Sequence, residues 1–228
     1  MGTYLVTGIG RGIGRELTRI LLNRGDRVIG TLRDPNQALP ELGEFIASGQ
    51  LTLLALDVRD EASIRAAAAS LNESIDVLVN NAGVIGPQRQ STLDMDFDGF
   101  LETLNANTLG PLRMVQAFLP HLRGSKAAKI VTISSRMGSL SYTKSDRIAY
   151  RASKAAVNKV MQGLATDLRE DGIVAVSVHP GWVQTDMGGS GADISVGESV
   201  AGLVSLIDRL NLDDTGGFFD WQGARISF

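Results

Sequence analysis

The strongest constraint on this chain lies near its start. There the strand-like run Thr3-Tyr4-Leu5-Val6-Thr7 passes directly into Gly8-Ile9-Gly10-Arg11-Gly12-Ile13-Gly14, and a helical segment follows from Arg15 to about Asn23. Glycine at alternate positions lets the backbone turn sharply and keeps side chains out of the path of an approaching ligand. At a helix N-terminus the unpaired N–H groups and the dipole favour negative charge, so strand, glycine turn and helix together make a seat for a pyrophosphate. The spacing departs from G-x-G-x-x-G, because Ile13 stands where a third glycine would fall. The motif therefore rests on its position at the first strand-to-helix junction.

Short apolar runs then alternate with longer helical segments: Leu5 to Thr7, Arg27 to Thr31, Leu51 to Leu56, Asp76 to Val79, Lys129 to Ser134 and Val174 to Val178. Strands this uniformly apolar are expected where helices cover both faces of a parallel sheet. Gly217 to Trp221 would add an edge strand. Val157, Val160, Met161, Leu164 and Leu168 fall on one helical face before Gly172 supplies a stop. No repeat or linker divides the chain, and the Gly188 to Gly191 stretch is too short to separate domains. The expectation is an α/β, doubly wound (Rossmann) parallel sheet of about seven strands with helices on both faces, one domain over residues 1–228.

A net charge of −3 and the lack of any dense Lys/Arg run argue against a nucleic acid or an anionic bilayer as partner. The absence of cysteine excludes disulfides, zinc–thiolate sites and thiol nucleophiles, and His121 and His179 stand apart, so no metal site is expected. No charged leader or cleavage site precedes Thr3, and Val6 stands where an acylation signal needs Ser or Thr. The expected location is cytoplasmic.

Tyr150 and Lys154 lie within about 40° of each other on a helix, on the same stripe as Val157, Met161 and Leu168. A phenol and an ammonium on a sheet-facing stripe are costly unless its first turn opens onto a polar cleft. In a right-handed crossover that turn sits above the C-terminal ends of the strands, where doubly wound folds bind ligands. A free phenol ionises near pH 10, and a cation one turn away favours the phenolate, which gives the spacing a chemical reason. Ser135, following the Lys129 to Ser134 run, is placed to hydrogen-bond an oxygen on which negative charge develops, with Ser134 the competing candidate.

The pattern T-G-x-x-x-G-x-G in Thr7 to Gly14 resembles the short-chain dehydrogenase/reductase family. Asn80-Asn81-Ala82-Gly83 is similar to its N-N-A-G, Ser135 with Tyr150 and Lys154 to its Ser…Tyr-x-x-x-Lys, and His179-Pro180-Gly181-Trp182-Val183-Gln184-Thr185 to its P-G…T segment. The resemblance implies a hydride transfer between a nicotinamide and a carbonyl or alcohol carbon, with Tyr150 as general acid/base assisted by Lys154, Ser135 and Asn107. Asn107 matches the family's N-x-x-G asparagine, associated with a water-linked proton relay, although Asn105 lies close by.

The same resemblance assigns cofactor contacts. Thr7, Gly8, Arg11, Gly12, Ile13 and Gly14 would surround the pyrophosphate, and Asp57 with Val58 the adenine. Asn80, Ala82 and Gly83 would shape the cleft, and Tyr150 and Lys154 would meet the nicotinamide ribose. Pro180, Gly181, Val183 and Thr185 would meet the nicotinamide, with Trp182 nearer the substrate or in the core. NADP(H) is expected over NAD(H), because the second strand ends Gly30-Thr31-Leu32-Arg33 without an acidic residue for the ribose 2′-hydroxyl, and Arg33 and Arg11 could grip a 2′-phosphate. Asp34 argues the other way but follows Arg33. The short Met187 to Ser195 loop leans towards the sniffer-like carbonyl reductases and the bacterial C-factor-like proteins, and the latter keep open a dinucleotide-binding signalling or sensor role with incidental turnover. The segments Asp98 to Leu122 and Ala149 to Asp171 resemble the helices that pair subunits in the family, which implies a homodimer.

Overall fold

The computed structural model describes residues 1–34, 36 and 39–228. Its strands are β1 (Thr3–Thr7), β2 (Arg27–Leu32), β3 (Leu51–Ala55), β4 (Val77–Asn80), β5 (Lys129–Ile133), β6 (Val174–His179) and β7 (Phe218–Asp220). They form one parallel sheet in the order β3-β2-β1-β4-β5-β6-β7. The helices are α1 (Gly12–Asn23), α2 (Gly43–Ala47), α3 (Glu61–Ala69), α4 (Phe97–Leu104), α5 (Gly110–Arg123), α6 (Ile148–Asp167) and α7 (Val196–Arg209).

Alternation along the strands builds two cores. Val77, Val79, Val131, Val176 and Val178 pack with α1 and α7 on one face. Leu78, Ile130 and Ala175 pack with α3, α5 and α6 on the other. Each strand is thus apolar on both sides, which is why the runs read as continuous rather than alternating. Strand order reverses between β1 and β4, and this opens a crevice at the C-terminal ends of the strands, where the turn after β1, the loop after β4 and the first turn of α6 converge.

Two expected elements differ. The segment Asp98 to Leu122 is not a single helix, because a π-helical turn, Asn105–Leu109, separates α4 from α5. The wider turn lets its side chains reach inward. Asn107 bonds the Val84 backbone and Ser153, and Thr108 Oγ1 donates to the Ser153 carbonyl at 2.9 Å. Helix α6 also stops at Asp167, short of Asp171, and Gly172 takes the left-handed turn that follows, at φ 71°. No helix among the described residues is long and apolar enough to cross a membrane.

Candidate active site

A cleft of about 640 Å³ runs over the strand ends, from the glycine turn and the Asp57–Arg59 loop to Tyr150 and Lys154. At the turn, Gly12 adopts φ 55°, and a Cβ on Gly14 would collide with the Gly8 carbonyl oxygen and with Asn81 Nδ2. Only glycine permits this approach. The first turn of α1 carries no acidic residue, and Arg11 at the N-cap contributes no side-chain cap. No side chain thus caps the first turn of α1, and the glycine cradle fits a dinucleotide's pyrophosphate.

Residues behind the cleft hold it open. Thr7 is buried, and its hydroxyl accepts from the backbone of Asn81 at 2.9 Å and of Ala82 at 3.0 Å, which ties the β4 loop to β1. Asn81 Nδ2 donates to the Thr7 and Gly8 carbonyls. Asn80 lies within the sheet, donating to Thr132 Oγ1 at 3.2 Å. Gly8, Gly12, Ile13, Ala82, Gly83, Pro180 and Thr185 line the cleft, while Gly181 packs against Ile194 and Trp221 and Val183 is buried.

The rim is charged. Arg33 and Asp34 both line the cleft beyond the end of β2. Asp57 pairs with Arg59 at 2.6 Å, and this bond, aided by the nearby charge of Arg33, holds its carboxyl below the ordinary range. Arg11, also on the cleft wall, pairs with Asp186 at 3.0 Å, so its guanidinium already has a carboxylate partner. Sequence reasoning missed Asp186, Asn81 and Arg59 as individual contributors. The ion pair joins positions 175 residues apart, and no local pattern announces such a partner.

At the reacting end, Tyr150 and Lys154 are 8% and 5% exposed. Lys154 Nζ sits 5.7 Å from the Tyr150 ring centre and donates to the Ile133 carbonyl at 2.8 Å. A Cβ on Gly83 would lie 3.0 Å from Asn107 Oδ1 and 3.7 Å from Lys154 Nζ, so the family's N-N-A-G glycine meets both. Ser134 turns its hydroxyl to Asn158 Oδ1 at 2.6 Å, whereas Ser135 Oγ accepts from the Met137 N–H at 3.1 Å and lies near enough to the Tyr150 phenol to pull its ionisation down. Asn105 accepts from Arg113, while Asn107 faces inward. Arg147 begins α6 in a left-handed conformation without capping it, and Gln90 supplies the missing acceptor, its Oε1 taking the Tyr150 N–H at 3.1 Å.

The electrostatics depart from the sequence expectation of a depressed phenol. Burial pushes Tyr150 above its ordinary value, against the Ser135 hydroxyl and the charge of Arg147, which both pull down. Burial likewise lowers Lys154 to about 8. Burial thus disfavours the charged form of each group, yet Lys154 at about 8 still carries its proton at neutral pH. A phenol pushed above its ordinary value keeps its proton at neutral pH.

The family model of short chain dehydrogenases matches residues 3–193. The C-signal protein of Myxococcus xanthus is 46% identical over 153 residues, covering 67% of this chain and 92% of that protein. The 1-hydroxy-2-glutathionyl-2-methyl-3-butene dehydrogenase of Rhodococcus sp. strain AD45 is 34% identical over 232 residues, 98% of each chain. Among solved structures, an NADPH-bound carbonyl reductase from chicken fatty liver matches with a TM-score of 0.91 and 35% identity, over 100% of this chain and 99% of that one. The carbonyl reductase Sniffer of D. melanogaster matches with a TM-score of 0.93 and 32% identity, over 100% of both. A glycine cradle at the first strand end, a buried Tyr150–Lys154 turn facing it, and these likenesses along the whole chain lead to one conclusion: this protein belongs to the short-chain dehydrogenase/reductase family of oxidoreductases.

Proposed function

We propose that this protein is an NADP(H)-dependent carbonyl reductase or alcohol dehydrogenase in which Tyr150 is the general acid/base. The observation that carries the reading is the protonated, buried Tyr150 beside Ser135 in the cleft that the glycine turn also lines. A bound nicotinamide cofactor supplies or accepts the hydride. Gly8, Gly12, Ile13 and Gly14 hold its pyrophosphate end; Asp57 and Val58 hold the adenine; Ala82, Gly83, Pro180 and Thr185 hold the rest, with Thr7, Asn80, Gly181 and Val183 as their support. Ser135 and Tyr150 bind the substrate oxygen, and Tyr150 donates its proton there as charge develops. Lys154 stands ready as the cation behind the phenol, and Asn107 fixes Val84 and Ser153 around it.

Arg33 supports the NADP(H) preference, since it lines the cleft where β2 ends without a carboxylate, whereas Arg11 contributes only by leaving Asp186. The NADPH-bound carbonyl reductase neighbour agrees with this direction. A cytoplasmic homodimer paired through α5 and α6 belongs to the same reading. The likeness to a C-signal protein favours a second reading, a dinucleotide-binding signal or sensor with incidental turnover. NADPH oxidation measured over a panel of aldehydes, ketones and quinones separates the two. Turnover on members of the panel supports the enzyme, and cofactor binding without turnover on any supports the sensor.

A further inference from the structure

Among the described residues, six buried side-chain polar atoms have no hydrogen-bond partner, and four of them lie on one face of the sheet: Asn80 Oδ1, Asn158 Nδ2, Ser177 Oγ and His179 Nδ1. Their placement follows from register. Asn80 pairs with Thr132 and Thr132 with Ser177 across β4, β5 and β6, so the three side chains form a row on the face that α6 covers, where Thr132 donates to Met161. One pleat further along the strands, Ser134 and His179 make the next row, since Ser134 N bonds the carbonyl of Val178. Asn158 closes over them from α6, one turn after Lys154, with its Oδ1 on Ser134.

A polar row two residues deep in an apolar sheet is expensive. An unpartnered donor or acceptor carries its full desolvation penalty, and a buried water with two to four polar partners is the usual remedy. The orphaned atoms complement each other: an amide donor on Asn158, a hydroxyl on Ser177, and on His179 a ring that is neutral at physiological pH. Burial and Arg136 hold that ring down at about 4, although Asp220 pulls the other way.

We propose that this row is an internal hydration site, with at least one ordered water bonded to Asn158 Nδ2 and to Ser177 Oγ or His179 Nδ1, and that Asn158 is thereby a positioning residue for the reacting end. The bonds from Asn158 to Ser134 and the water, and from Lys154 to Ile133, fasten two successive turns of α6 to the end of β5. Ser135 follows directly on that end, so its distance from Tyr150 is set by how α6 sits on β5. The positioning claim rests on the proposed catalytic roles of Tyr150 and Ser135; the hydration site does not.

Two measurements test it. A high-resolution crystal structure of the wild-type protein should show the water within hydrogen-bond distance of Asn158, and a dry row closed by direct side-chain bonds overturns the site. In kinetics, Asn158→Leu keeps the volume but removes the amide. It should lower kcat by roughly ten- to a hundredfold while leaving KM for NADPH near wild type, as small misplacements of reacting groups do. Asn158→Ser, which keeps a hydroxyl and leaves room for a second water, should recover much of that loss. Unchanged kcat in folded Asn158→Leu overturns the positioning role, as does an equal loss in Asn158→Ser. If Tyr150→Phe proves as active as wild type, the catalytic reading fails while the crystallographic result still decides the hydration site.

Discussion

The two ends of the cleft are built in opposite ways. At the cofactor end the surface is backbone: glycines at positions 8, 12 and 14 let chain approach chain, and the charged groups around them, such as Arg11 and Asp186 at 73% and 74% exposed, stand in solvent. At the reacting end the surface is side chain: Tyr150, Lys154, Ser135 and Asn107 are all under a tenth exposed. One end depends on atoms that are not there, the other on polar atoms held where water is scarce. Exposed ion pairs contribute about 0–1 kcal/mol, whereas buried polar groups shift ionisation and cost more than that if left unpaired. Substitutions should therefore fail differently at the two ends.

The largest effect belongs to the cofactor end. Gly14→Val places a branched side chain against the Gly8 carbonyl and Asn81. It should abolish measurable cofactor binding and cost about 1–3 kcal/mol of stability through overpacking, read by NADPH fluorescence titration and thermal unfolding. Unaltered affinity would show that the turn does not form the pyrophosphate seat. Next comes Ser135→Ala, with kcat lowered roughly a hundred- to a thousandfold. The Ser135 hydroxyl is one of the causes pulling the Tyr150 phenol down, so its loss should also move the alkaline limb of reductive turnover to higher pH. A limb that stays in place or moves down would break the link between the two side chains.

A smaller effect is expected at the rim. Arg33→Ala should weaken NADPH binding about tenfold and leave NADH binding nearly unchanged, the scale of one charge-assisted hydrogen bond. Equal losses for both cofactors would remove Arg33 from phosphate recognition. The smallest concerns His179, held at about 4 in the folded chain against about 6.5 in the unfolded one. Between those values the unfolded chain binds a proton that the folded chain does not, so stability falls as pH drops. The loss from pH 7.5 to pH 6 should be about 1 kcal/mol, and His179→Gln should flatten that slope in denaturant titrations.

The contrast also explains what could be read before the fold was known. The glycine turn, the seven apolar runs and the Tyr150–Lys154 stripe are local patterns, and each stands in the sheet or the cleft where its period placed it. The π-helical turn at Asn105–Leu109 was only hinted at, since asparagine is disfavoured inside a helix but the cause of the turn is tertiary: bonds to Val84 and Ser153. Gln90 as the acceptor for α6, and Asp186 as the partner of Arg11, depend on residues brought together from distant segments. The upward direction of the Tyr150 shift was not legible for a related reason. Spacing reveals a cation one turn away, but the burial that raises the phenol is known only once α6 is packed on the sheet.

The central claim is that chemistry at Tyr150 is separable from the fold and from cofactor binding, and Tyr150→Phe addresses it with the removal of one oxygen. Turnover of the best carbonyl substrate, the NADPH dissociation constant and the unfolding midpoint should be measured on the same preparation. The account predicts kcat reduced by about a hundred- to ten-thousandfold, with affinity and midpoint close to wild type, because the ring still packs in its place. A variant that keeps a substantial fraction of wild-type turnover would contradict it, and Tyr150 would then not be the proton donor.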